Sequence, residues 1–142
     1  MNKASQKLFA LCELWDEKRK ADRLPRRSDF DPKSLRPWIG DLALVEIAAG
    51  GEPLFRICGT NLHNRFGGEF TGLAIGSLAP EIERDFRHGL THVCQSKAPL
   101  EMHYGCTVNG EVKSFRDAYL PLSDDNARVG TVLFASFEIS GK

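Results

Sequence analysis

The dipeptide Asn109-Gly110 separates two alternating runs, LEMHYGCTV (100–108) and EVKSFRDAYLP (111–121), and a two-residue connection of this type folds as a tight β-hairpin. Such a turn leaves one register. Val108 falls opposite Glu111, Tyr104 opposite Phe115, Met102 opposite Asp117 and Leu100 opposite Tyr119, all on one face. The other face carries Glu101, His103, Thr107, Val112, Ser114, Arg116, Ala118 and Leu120. A further run, RVGTVLFASFE (128–138), is apolar on both sides, with Val132 and Phe134 on one and Val129, Leu133, Ala135 and Phe137 on the other. A strand of that kind is central and covered on both faces.

Upstream, LALVEIA (42–48) and LFRIC (54–58) flank the turn sequence AGGEP and predict a second hairpin. Ile82, Phe86, Leu90 and Val93 share a narrow arc of the helical wheel, so a helix with one buried face is expected over 80–95. Leu8, Leu11, Cys12 and Trp15 make the stripe of another over 4–20, ended by Pro25. Asp31 is placed to cap a short turn that begins at Pro32 and is limited by Pro37. The fold class is therefore α+β: a five-stranded antiparallel sheet with short helices and one longer helix on one face, and an N-terminal helix on the other. Residues 1–38 read as a helical extension and 39–142 as the core.

The stretch FRICGTNLHNRFGGEFTG (55–72) must turn from strand to helix within three residues. Gly59 is expected to supply unusual backbone angles, and Thr60 or Asn61 a capping oxygen. Leu62 and Phe66, four apart, point at the sheet. Short helical turns laid over a sheet leave room beneath them for a ligand cavity. Its candidate lining is Phe66, Phe86, Leu90, Met102, Tyr104, Phe115, Asp117, Tyr119, Phe134 and Ser136. Asp117 stands out, because a carboxylate among aromatic residues needs a partner. Either it meets a polar group of a small ligand together with Tyr104 or Tyr119, or it pairs with an arginine such as Arg56, or it lies exposed near the sheet edge.

Nineteen basic residues balance nineteen acidic ones, so no global field draws the chain to nucleic acid or to an anionic membrane. No apolar run is long enough to span a bilayer, and the N-terminus lacks the apolar core of a signal peptide, so a cytoplasmic location is expected. Cys12, Cys58, Cys94 and Cys106 form no C-x-x-C pair and read as reduced thiols within apolar patterns rather than metal ligands. Ser123 and Asp124 sit in ordinary turn chemistry, and no histidine completes a nucleophilic set with them. Enzyme activity is not expected.

The segments LPRRSDFDP, FRICGT…FGGEFTG and LPLSDDNARV, in that order, resemble the short single-domain PAS proteins of bacteria. The resemblance is carried by Trp15, by Pro25, Arg27, Asp29 and Pro32, by Gly59 and Thr60, by Phe66, Gly67, Thr71 and Gly72, and by Pro121, Leu122 and Ser123. It covers nearly the whole chain and implies a PAS fold with a sensory or regulatory role. It specifies no cofactor, because PAS domains hold haem, flavin, small acids or nothing visible.

Haem would need a histidine on the long helix, and His88 and His92 point away from its buried face. His63 reads as a surface residue, and His103 lies on the opposite sheet face, across from Arg116. Photoreceptor-type flavin would call for a cysteine in the crossover, and GTNLHNRFGG has none. The function expected is a module that binds a small molecule in the sheet–helix cavity and signals to a protein partner. Leu8, Leu11 and Trp15 then mark the output and homodimer helix. The alternative is a ligand-free interaction module whose cavity is filled by Tyr104, Phe115, Tyr119 and Phe134.

Overall fold

The computed structural model describes residues 2–108 and 110–139. Helix α1, Lys3–Lys18, starts where the Asn2 side chain accepts the Ser5 N–H at 2.8 Å. It ends at Lys18, two residues short of the expected 20, and the chain then turns through Ala21 at φ 53°. Asp31 accepts the Ser34 N–H at 2.7 Å and caps a turn, which runs into a 3₁₀ segment at Arg36–Asp41.

Five strands follow: β1 Leu42–Glu46, β2 Leu54–Cys58, β3 Leu100–Val108, β4 Glu111–Leu122 and β5 Thr131–Ile139. They form one antiparallel sheet in the order β2-β1-β5-β4-β3, with β5 at the centre as its two-sided apolar pattern requires. The β3–β4 register is the one a two-residue turn dictates, including Met102 opposite Asp117 and Tyr104 opposite Phe115. Asn109 lies outside the described residues; Gly110 takes the left-handed φ of 83° such a turn needs. Strand β5 starts at Thr131 rather than 128, although Val129 is buried.

Ala4, Leu8, Leu11 and Trp15 of α1 are buried, and α1 lies across β4 and β5. The Trp15 Nε1–H donates to the Pro121 carbonyl at 3.0 Å, which fixes α1 to β4. The opposite face is covered by α2, His63–Phe66, and by α3, Pro80–Ser96. Strain in the crossover differs from the expectation. Gly59 has an ordinary φ of −66°, and neither Thr60 nor Asn61 caps the turn; Asn61 Nδ2 instead donates to Asp41 at 3.0 Å. Gly59 is required for space, since a Cβ there would strike the Gly40 carbonyl. The left-handed glycines come later. Gly67 (φ 87°) ends α2, and Gly72 (φ 85°) returns the chain alongside β2, where its N–H reaches the Phe55 carbonyl at 2.7 Å.

Candidate functional site

The face beneath α3 is built from aromatic rings. Phe86 of α3 meets Phe134 of β5 edge-on at 4.9 Å, and Tyr119 of β4 meets Phe134 at the same distance. Phe66 of α2 lies 5.2 Å from both Phe55 and Phe86. Pairs of this geometry contribute about 0.5–1.5 kcal/mol each beyond the area they bury. Helix α3 approaches so closely over Tyr119 that a Cβ on Gly89 would overlap the ring. Leu90 is buried in the same hydrophobic core, and Met102 packs against that core from β3 with part of its surface exposed. Four of the expected cavity residues, Phe66, Phe86, Tyr119 and Phe134, thus pack on one another.

Polar groups gather at the β3 side of the cluster. Asp117 is 1% exposed, and Arg65 donates to its Oδ2 through Nε at 3.1 Å and Nη2 at 2.8 Å. Ser136, opposite Asp117 on β5, donates its hydroxyl to Oδ1. Asp85 on α3 lies 3.6 Å from the same guanidinium. The Tyr104 ring covers that guanidinium, with the Arg65 Cζ 3.5 Å from its centroid, and Phe115 lies 6.4 Å from Tyr104. The partner of Asp117 is therefore Arg65 and not Arg56, which pairs with Glu46 at 2.9 Å on the surface. Nor is Asp117 exposed near the sheet edge.

Burial works against the Arg65 charge, but the charge and hydrogen bonds of Asp117 outweigh it and hold the guanidinium above its ordinary pKa. Burial also pushes the Asp117 carboxyl up, against Arg65 and Ser136. Three donors converge on its two oxygens, an arrangement that fits the ionised carboxylate. Burial likewise raises the phenols of Tyr104 and Tyr119, so both keep their protons.

Outside this group a cleft of about 860 Å³ runs between α2, α3 and β3, with Arg65, Ile82, Asp85, His88, Tyr104 and Cys106 among its walls. Tyr104 alone of the ten expected cavity residues lines it. Arg65 is the functional candidate that sequence reasoning missed. A signal was available: it follows Leu62 by three on the crossover, and so shares the sheet-facing side with Leu62 and Phe66. Among the described residues no group of three His, Cys, Asp or Glu is placed to hold a metal ion, and His88 and His92 are exposed.

A family model for the PAS domain matches residues 1–133. The chain belongs to the PAS domain family. Solved structures agree with that membership at the level of fold. The PAS domain of Bordetella pertussis BvgS superposes with a TM-score of 0.57 at 15% identity, covering 78% of this chain and 87% of that one. A light-oxygen-voltage domain studied with a flavin analogue superposes with a TM-score of 0.56 at 11% identity, covering 77% and 84%. No curated protein matches the sequence. PAS domains are in general sensory and regulatory modules rather than catalysts. In this PAS domain no helix of the described residues is long and apolar enough to cross a membrane.

Proposed function

We propose that this PAS domain is a cytoplasmic sensory module that holds a small molecule between α3 and the sheet and passes its state to a signalling protein. The observation that carries this reading is the ion pair of Arg65, a wall residue of the cleft, with Asp117 behind it, both 1% exposed. Apolar residues of similar volume are often as stable or more so at such a position, so an ion pair kept beside a cleft favours a recognition role. Strand β4 supports an output route. It carries Asp117 and Tyr119 toward α3, and its Pro121 carbonyl holds Trp15 of α1. A ligand that prefers one packing of α1 on the sheet would shift that packing. Leu8, Leu11 and Trp15 carry the shift, and the outer face of α1, with Phe9 56% exposed, is the surface for a second copy or another partner.

Native mass spectrometry of freshly purified protein tests this reading. The expected result is a dimer with added mass, lost in Asp117→Ala. A bare mass in the parent chain, or retention unchanged by Asp117→Ala, counts against it. A second reading, a ligand-free interaction module, is favoured by the mutual packing of Phe66, Phe86, Tyr119 and Phe134 under α3. A bare mass with dimerisation intact selects that one.

A further inference from the structure

Two polar groups in this layer are buried without a hydrogen-bond partner among the described residues: Nη1 of Arg65 and the hydroxyl of Tyr119. Buried donors left unmade are rare and costly, so each calls for an explanation. They belong to one neighbourhood. Tyr119 stands two residues from Asp117 on the same face of β4, and both it and Arg65 lie against the Phe134 ring, with the Tyr119 ring at 4.9 Å and the Arg65 Cζ at 5.7 Å from its centroid. The Tyr104 ring lies over the guanidinium and forms a wall of the cleft.

The charge around Arg65 narrows what could meet these donors. One guanidinium already faces two carboxylates, Asp117 at 2.8 Å and Asp85 at 3.6 Å. A third carboxylate brought to Nη1 would find its countercharge taken and two like charges close by. An uncharged acceptor satisfies both donors without that penalty. Ile82 and Cys106 on the same cleft suit an apolar remainder.

We infer that the ligand is an uncharged molecule with a carbonyl oxygen, which accepts from Arg65 Nη1 and the Tyr119 hydroxyl after the Tyr104 ring swings off the guanidinium. This rests on the cleft being the ligand site proposed above. Tyr104 is then the cover of the site, and Asp85 and Asp117 select against acids.

The experiment is an NMR titration of the ¹⁵N-labelled full chain with benzamide and, in parallel, benzoate, rings of one size that differ in charge. The readouts are the Arg65 Nε–H resonance and the backbone amides of residues 104–106. Benzamide is expected to give saturable shifts, with benzoate at least about tenfold weaker. Tyr119→Phe removes one donor and should weaken benzamide about three- to tenfold. Tyr104→Ala, at a half-exposed position on the edge strand, should tighten it. Benzoate binding as well as benzamide, benzamide binding untouched by Tyr119→Phe, or no saturable shift with either probe overturns the inference. The mass of the protein as purified separates this failure from that of the sensory reading. A retained charged molecule keeps the sensor and rejects the uncharged class, whereas a bare chain that also ignores both probes rejects the two together.

Discussion

Arg65 on α2 and Asp117 on β4, 52 residues apart in sequence, meet through two hydrogen bonds to a single carboxylate oxygen, with both side chains buried. The pair joins the crossover to strand β4, next to the central strand. Its free energy depends on both charges being present, because either one alone would be buried without compensation.

Arg65→Met and Asp117→Leu should each destabilise the protein by about 3–5 kcal/mol. The double variant should cost far less than the sum, since it buries no charge. Urea unfolding of the four chains, taken as a double-mutant cycle, measures the coupling. Additive losses would mean that the two groups do not depend on one another.

Tyr119→Phe removes a buried hydroxyl that has no partner among the described residues and leaves the ring contacts with Phe86 and Phe134 in place. An unmet buried polar group costs about 1–3 kcal/mol, so the variant should be no less stable than the parent and up to about that much more. A lower urea midpoint would show that the hydroxyl is satisfied in solution.

Gly89→Ala places a methyl against the Tyr119 ring, at the closest approach of α3 to the sheet. Overpacking should cost about 1–3 kcal/mol, against a gain of at most about 1 kcal/mol in helix propensity. Combining it with Tyr119→Leu should relieve most of the clash. Thermal unfolding of the three variants decides the matter, and a stabilised Gly89→Ala would mean that α3 sits higher on the sheet.

Asp125 accepts the N–H groups of Ala127 and Arg128 and the Ser123 hydroxyl, which hold its pKa at about 2. This lies below the ordinary value of about 3.9 in an unfolded chain. Its contribution is therefore fully present above about pH 4 and lost as the pH falls toward about 2. Asp125→Asn cannot titrate, so its melting temperature should fall less steeply over that interval. Glu69, held at about 2 by Thr71 and His63, supplies part of the slope that remains. An unchanged profile in Asp125→Asn would remove Asp125 from acid unfolding.

The strands and their register were legible from local pattern alone. Asn109-Gly110 admits one pairing, and a two-residue periodicity then assigns every side chain of β3 and β4 to a face. The central place of β5 followed from apolar residues on both of its sides. The buried stripes of α1 and α3 followed from helical spacing, and the PAS resemblance from motifs set in order along the chain. These are short-range properties, carried by neighbours within one element. Tertiary structure decided what no local pattern records: that Gly59 is needed for the Gly40 carbonyl and not for its own angles, and that Asp117 meets Arg65 and not Arg56. It also decided that Arg65 Nη1 and the Tyr119 hydroxyl have no hydrogen-bond partner among the described residues. The physical reason is that each depends on the distance between segments remote in sequence, which packing of the whole sheet and its covering helices sets.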